Sequence, residues 1–132
     1  MTINGNRLAG LHILIVEDNF NIAVGLARLF KAQGAEVIGP APTVAEALAL
    51  VANLERIDAA VLDINLRGKL AYPVVDALRD RGVPVVFMTG YDDETILQGY
   101  RDIPCLRKPV AIERVIDAIG ASGTSEHRPA VS

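Results

Sequence analysis

The chain has 132 residues, of which 51% are apolar and 22% charged, with a formal net charge of −3. This length and apolar content suit one folded domain around one core, and the negative balance argues against nucleic acid as the main partner. The single cysteine, Cys105, excludes an internal disulfide, and the early apolar run Leu11–Val16 is too short to cross a membrane. We therefore expect a cytoplasmic protein with no nucleic-acid and no membrane partner.

Short apolar runs alternate with amphipathic segments along the chain. The first run, Leu11–Val16, is continuous and β-branched, as in a strand covered on both faces. Asn21–Phe30 follows, with apolar residues at helical spacing. Further strands are predicted at Glu36–Ile38, Ala59–Leu62, Val85–Met88 and Ile103–Leu106. Further helices are predicted from Thr43 through Val51, at Tyr72–Asp80, from Asp92 to about Gln98, and from Pro109 to Gly120, with a loop at Arg67–Ala71.

Several boundaries carry local signals. Thr43 and Glu46 form a capping-box pattern, in which a hydroxyl and a carboxylate satisfy backbone donors at a helix start. Pro84 opens a strand, one of the few strand positions that tolerate proline. Acidic residues at the start of the Asp92 helix suit its dipole, and Pro109 suits the first turn of the last helix.

Strand and helix alternate five times, which predicts an α/β fold with a doubly wound parallel sheet. We expect the folded domain to cover residues 11–120, after a flexible leader at 1–10 and before a disordered tail at 121–132. In such folds ligands bind outside the carboxyl ends of the strands.

Reactive side chains follow four of the five predicted strands. They are Glu17 and Asp18 after the first strand, Asp63 after the third, Thr89 after the fourth and Lys108 after the fifth. Each alone has an ordinary explanation as a helix cap, a turn residue, a strand former or a loop cation. Together, at matching strand ends, they predict one polar site.

Three carboxylates in one site repel one another. A pair of like charges ~4 Å apart costs about 4 kcal/mol at an effective dielectric constant of ~20, and a divalent cation removes that cost. Oxygen ligands favour Mg²⁺, or Mn²⁺ in its place. Asp63 is then the candidate nucleophile for an aspartyl phosphate, with Thr89 and Lys108 stabilising the phosphoryl oxygens.

The set resembles a known family. Its residues, in order, are Glu17-Asp18, Asp63, Thr89 and Lys108-Pro109. In order and spacing they resemble the receiver domain of two-component response regulators, over roughly Leu11–Gly120. The resemblance implies a flavodoxin-like receiver fold, with a five-stranded sheet of order 2-1-3-4-5.

The resemblance also implies roles. Asp63 would be the phosphoacceptor, served by a histidine kinase or a phosphotransfer protein. Asp18 and Asp63 would bind Mg²⁺ directly, Glu17 through water and Asn65 through its backbone carbonyl. The Lys108–Pro109 peptide bond would be cis, which proline permits at modest cost.

A narrower resemblance lies in the segment Pro84–Tyr91. It is similar to the hallmark of the "FAT GUY" receivers, stand-alone regulators of alphaproteobacteria, with Met88 in place of the usual alanine. That subfamily is typically served by kinases of the HWE and related classes.

Cys105 departs from the pattern of most receivers, which have Tyr or Phe three residues before the lysine. We expect this cysteine to be an inert buried residue. Because it cannot swing a ring inward, we hypothesise that signalling runs through reordering of Gly90–Gly99. Gly90 would give the backbone of this segment the freedom to move, and the Tyr91 side chain would change position with it and report the signal.

The predicted function is that of a stand-alone response regulator and not of a classical enzyme, with self-catalysed phosphorylation and autodephosphorylation. No output domain is expected after Gly120, so we expect protein–protein contact, or phosphoryl shuttle or sink behaviour, by a monomer or weak dimer. The expected contact face is the helix near Asp92, the following strand and the last helix.

Three alternatives are weighed against this function. One is a pseudo-receiver that binds partners without phosphorylation, which the intact acidic set disfavours. Another is an aspartyl-phosphate phosphatase of the haloacid dehalogenase kind, which needs an acid where this chain has Asn65. The third is a flavodoxin-like cofactor binder, disfavoured because an acidic segment replaces the phosphate loop.

Overall fold

A parallel sheet of five strands forms the centre of the protein. The computed structural model describes residues 7–90 and 98–120. Numbered in chain order, the strands of this sheet are β1 His12–Val16, β2 Glu36–Ala41, β3 Ala59–Asp63, β4 Val85–Thr89 and β5 Cys105–Arg107. Their spatial order is β2-β1-β3-β4-β5, and every pair is parallel. The doubly wound fold class and the order 2-1-3-4-5 are therefore confirmed.

Helices cover both faces of this sheet. They are α1 Phe20–Ala32, α2 Val44–Asn53, α3 Tyr72–Asp80 and α4, described over residues 112–120. Leu14 and Val16 of β1 point into a core shared with α2 and α3, whereas Ile13 and Ile15 point into a core shared with α1 and α4. This alternation explains why β1 reads as an unbroken apolar run. No helix in the described ranges combines the length and apolar content that crossing a bilayer requires.

The helix starts differ in detail from the prediction. The Glu46 amide donates to Thr43 Oγ1 at 3.1 Å, as predicted for α2. The Glu46 carboxylate accepts from the same hydroxyl at 3.4 Å, whereas in a full capping box it would accept from the Thr43 amide. At α1, Asn19 is the cap, since its Oδ1 accepts from the Ile22 amide at 3.0 Å.

A short hairpin replaces the loop predicted at Arg67–Ala71. Asn65–Leu66 pairs antiparallel with Lys69–Leu70, and the two turn residues have φ values of 53° and 89°. These are the dihedrals of a tight two-residue hairpin turn. The sequence prediction missed the hairpin because each strand has only two residues and the turn begins with arginine, an unusual residue in this conformation.

The last strand begins later than predicted. Ile103 belongs to a turn, in which its amide donates to the Tyr100 carbonyl at 3.2 Å. Pro104 has no amide hydrogen and contributes only its carbonyl, which accepts from the Phe87 amide at 2.8 Å. The pairing of β5 with β4 therefore starts at Cys105. The helix predicted from Asp92 lies outside the described residues, apart from a 3₁₀ turn at Gln98–Tyr100.

The chain just before β1 packs against the fold. Leu8 is buried, and its amide donates to the Gln33 carbonyl at 2.9 Å. The Gly10 amide donates to the Gly34 carbonyl at 3.2 Å. Packing thus extends before the domain boundary predicted at residue 11. Residues 1–6 and the tail at 121–132 lie outside the described ranges.

Candidate functional site

The carboxyl ends of the strands bring the acidic residues together. Glu17 and Asp18 directly follow β1, and Asp63 ends the neighbouring strand β3. One carboxylate oxygen from each of the three lies within 4.8 Å of the others. Glu17 and Asp63 are buried and Asp18 is partly buried. The predicted acidic group is therefore present as one cluster.

Lys108 joins this cluster from the far side of β4. Its Nζ lies 2.6 Å from Asp63 Oδ2 and 2.8 Å from Glu17 Oε1. Its backbone amide donates to the Thr89 carbonyl at 2.8 Å, which fixes the chain beyond β5 against the end of β4. The Lys108–Pro109 bond is cis, as predicted.

Burial and ion pairing shift the pKa values of two groups in the cluster. Burial raises the pKa of Glu17, although the Lys108 contact and the hydrogen bond from the Asn19 amide oppose it. Burial lowers the pKa of Lys108, but its contacts with Asp63 and Glu17 outweigh burial and leave the pKa above its usual value. The lysine therefore stays protonated at neutral pH.

The donor set fits a hard divalent cation. The cluster has three carboxylates, and Lys108 contacts two of them, so these four groups carry a formal charge of −2 when ionised (−3 + 1). Glu17 Oε1 is buried and, among the residues described, has no hydrogen-bond donor of good geometry despite the nearby lysine. Beside its ion pair with Lys108, this oxygen has a further lone pair that can face a cation or water held by one.

Asn65 is held beside Asp63 by the hairpin. Its amide donates to Asp63 Oδ1 at 3.1 Å, and its side-chain Oδ1 accepts from the Gly68 amide at 2.7 Å. The side chain is therefore used within the turn. The role predicted for its backbone carbonyl as a metal ligand stays a prediction.

Thr89 lies at the same edge, at the end of β4. It is buried, and its Oγ1 donates to the Gly90 carbonyl at 3.1 Å. The hydroxyl therefore donates to the carbonyl of the next residue in this structure. Tyr91, the predicted reporting side chain, lies outside the described residues.

Cys105 is exposed, so the expectation of a buried cysteine is wrong. Side chains alternate between faces along a strand, and Cys105 and Arg107 share the exposed face of β5 while Leu106 is partly buried. β5 is the edge strand, with β4 as its one neighbour in the sheet. A small residue at this position therefore meets solvent rather than the core.

Two sets of contacts carry no strong signal in the sequence. Arg67 Nε lies 3.5 Å from Asp18 Oδ2, and only the Arg67-Gly68 turn pair hints at its position. Tyr100 stacks on Tyr72 with ring centroids 4.3 Å apart, and its hydroxyl donates to Asp76 at 2.8 Å. The last contact joins residues 24 positions apart, which local patterns do not reveal.

Comparison with known proteins identifies the family. The model of the response regulator receiver domain matches residues 13–120. SdrG of Sphingomonas melonis Fr1 is 41% identical to this chain, with a TM-score of 0.77, covering 89% of this chain and 98% of SdrG. The regulator PhyR of Methylorubrum extorquens is 38% identical over 94 residues, 70% of this chain and 35% of PhyR.

A more distant relative matches over a longer stretch. The transcriptional regulatory protein PdtaR of Mycobacterium tuberculosis is 27% identical over 122 residues, which are 89% of this chain and 59% of PdtaR. The chain thus spans less than two thirds of the length of PdtaR and of PhyR. By its family match and the strand order described above, the chain belongs to the response regulator receiver domains.

Proposed function

We propose that the protein accepts a phosphoryl group on Asp63 in a Mg²⁺-dependent reaction and passes the signal on by protein contact. The observation that carries this proposal is the contact of Lys108 Nζ with Asp63 Oδ2 at 2.6 Å, inside a cluster of three carboxylates. A partly buried lysine paired with a buried aspartate places a positive charge where phosphoryl oxygens would lie.

Asp63 acts as the nucleophile. One of its oxygens forms the new bond to phosphorus while the bond from phosphorus to the donor's leaving group breaks. Two contacts orient the carboxylate, one from the Asn65 amide to Oδ1 and one from Lys108 to Oδ2. Such orientation matters because phosphoryl transfer requires an in-line approach.

Lys108 and Thr89 stabilise the transferred group. The lysine is protonated, because its carboxylate partners raise its pKa, and it pairs with a phosphoryl oxygen. The Thr89 hydroxyl exchanges its bond to the Gly90 carbonyl for a bond to another such oxygen. Asp18, Asp63 and the Asn65 carbonyl would hold Mg²⁺ directly and Glu17 would hold it through water, and the bound ion would supply the charge that offsets the carboxylates.

The phosphoryl donor is a histidine kinase or a phosphotransfer protein, and the chain itself catalyses its phosphorylation and dephosphorylation. The segment Pro84–Tyr91 supports the FAT GUY subfamily, consistent with the likeness to SdrG and PhyR. Membership of that subfamily favours a histidine kinase of the HWE or a related class as the phosphoryl donor. Output runs through the segment Gly90–Gly99, by contact with a downstream protein or by phosphoryl shuttling.

Intact-mass measurement after incubation with acetyl phosphate and Mg²⁺ tests the proposal. We expect an adduct of about 80 Da, the mass of one phosphoryl group, which should not form when EDTA is present during the incubation or in D63N. D80N, which changes an exposed aspartate at the end of α3, is the matched control and should keep the adduct. An adduct of equal yield in D63N, or none in the wild type, would reject Asp63 as the acceptor.

A further inference from the structure

Arg67 brings a second positive charge to the acidic cluster. Its Nε lies 3.5 Å from Asp18 Oδ2, and its side chain is 78% exposed while that of Asp18 is 18% exposed. Lys108 contacts the other two carboxylates, those of Glu17 and Asp63. Each member of the acidic cluster therefore has a cationic partner within 4 Å, and the partner of Asp18 is Arg67.

The position of Arg67 is set by the hairpin that follows β3. Arg67 and Gly68 form its turn, with φ values of 53° and 89°. The Asn65 side chain accepts from the Gly68 amide at 2.7 Å, while the Asn65 amide donates to Asp63 Oδ1 at 3.1 Å. The turn is thus tied to Asp63 itself, which places the guanidinium over the cluster.

Asp18 cannot serve two cations equally well. With Arg67 included, the formal charge of the three carboxylates and their two partners is −1 (−3 + 2). Asp18 is the carboxylate with the most exposed partner, since the Lys108 side chain is only 17% exposed. A cation that binds Asp18 directly therefore competes with Arg67 for this carboxylate, and the exposed Arg67 side chain moves into water more easily than Lys108.

We propose that Arg67 is a positioning residue that holds Asp18 in the metal-free protein and competes with a divalent cation for its carboxylate. This inference rests on the proposed function, in which the acidic cluster holds Mg²⁺. Its consequence is that removing the guanidinium charge tightens Mg²⁺ binding. Because the pair is exposed and screened, we expect a gain of about three- to tenfold.

The test is a Mg²⁺ titration of unphosphorylated protein, followed by calorimetry and by the NMR shifts of the amides around Asp18. R67Q and R67N both remove the charge, and asparagine tolerates the left-handed turn conformation better than glutamine. We expect both to bind Mg²⁺ more tightly than the wild type to a similar degree. R67K should restore weaker binding, since it keeps the charge. The gain should shrink at high salt.

K69Q is the matched control, because Lys69 lies in the same hairpin and is exposed. It removes one positive charge nearby but not the partner of Asp18, so its effect on Mg²⁺ affinity should be smaller. Equal affinities in R67Q and K69Q, or tighter binding in R67Q but not in R67N, would overturn the proposal.

The experiments distinguish a failure of the proposed function from a failure of the role assigned to Arg67. A wild type that shows no saturable Mg²⁺ shift would overturn both. Wild-type binding that is lost in D18N but unchanged in R67Q would overturn only the competition by Arg67. Tighter binding in R67Q, in a protein that acetyl phosphate does not modify, would support the competition and reject the phosphoryl acceptor.

Discussion

Lys108 reaches across the end of β4 to place its Nζ 2.6 Å from Asp63 Oδ2, although the two residues are 45 positions apart. The lysine backbone is bonded to the Thr89 carbonyl, so its side chain spans one strand of the sheet to reach the next. Three strands are thereby connected at one edge by a single residue. A change in charge at Asp63 therefore acts directly on Lys108, in the segment that follows β5.

Replacing Lys108 should destabilise the metal-free protein. K108M leaves Glu17 and Asp63 buried without their cation, and we expect the free energy of unfolding to fall by about 2 kcal/mol. Mg²⁺ should restore part of this loss, because it offsets the same carboxylates. Urea denaturation with and without Mg²⁺ measures both effects. K31M changes an exposed lysine in the last turn of α1 and is the control. It should neither lower the free energy of unfolding nor make that free energy more sensitive to Mg²⁺. Equal losses with and without Mg²⁺ would contradict the prediction.

The pH dependence of stability should report on Glu17. Its pKa is raised by burial above the usual 4.5, so the folded state binds a proton that the unfolded chain has released. Its contribution to stability is therefore complete below pH 4.5 and is lost as the pH rises through the folded-state pKa. In metal-free buffer, the wild type should lose stability relative to E17Q over that window. A difference that stays constant with pH would show that Glu17 is not perturbed.

Tyr100 should stabilise the packing of residues 98–103, which precede β5, against α3. Its ring stacks on Tyr72, and its hydroxyl donates to Asp76. Y100F keeps the ring and should cost less than about 1 kcal/mol, the net value of one exposed hydrogen bond. Y100A removes the stacking as well and should accelerate amide exchange at residues 98–103. Unchanged exchange in Y100A would mean that the stacking does not hold this segment.

Replacing Gly39 by alanine should destabilise the protein, whereas the same replacement at Gly25 should not. Gly39 has φ +90°, and a Cβ there would lie 2.8 Å from the Ala41 nitrogen and 3.0 Å from the Ile15 carbonyl oxygen. G39A should therefore destabilise by about 2 kcal/mol or more. A Cβ at Gly25, within α1, meets nothing within 4 Å, so G25A should stabilise by about 0.5–1 kcal/mol. Thermal unfolding of the two variants compares them, and similar shifts would contradict this assignment.

The segment Gly90–Gly99 should change its dynamics on activation. We expect backbone relaxation of this segment to differ between the free, the Mg²⁺-bound and the beryllofluoride-bound protein. The reason is that the Thr89 hydroxyl, now bonded to the Gly90 carbonyl, would release it when it binds a phosphoryl-like group. Identical relaxation in all three states would reject this route for the signal.

Local patterns predicted the repeating parts of this fold. The helix Tyr72–Asp80 has the predicted limits, and the apolar run that became β3 ends one residue later than predicted, at Asp63. The helix was predictable because its burial is periodic along the chain, and the strand because it is a short continuous apolar run that is buried throughout. The parallel sheet followed from the alternation of strands and helices. Its order 2-1-3-4-5, which the resemblance to receiver domains implied, places Asp63 beside the residues after β1.

Contacts between distant segments were not predictable in the same way. The pairing of Arg67 with Asp18 depends on a turn of two left-handed residues, one of which is not glycine. The exposure of Cys105 depends on which face of an edge strand it occupies, and a three-residue strand is too short to show its period. The packing of Leu8 involves a distant part of the chain, since its amide donates to the Gln33 carbonyl and its side chain lies in the core shared with α1 and α4.

The contact of Leu8 with Gln33 also determines where a reporter group could be attached. Residues 7–10 lie before β1 and against the turn that leads into β2, at the amino edge of the sheet. The acidic cluster lies at the opposite edge, roughly 16 Å away along five residues of strand. A fluorophore or spin label in place of the exposed Arg7 would therefore lie far from the acidic cluster, although it would remove the ion pair of Arg7 with Asp117. The same label at Cys105 would lie three residues from Lys108.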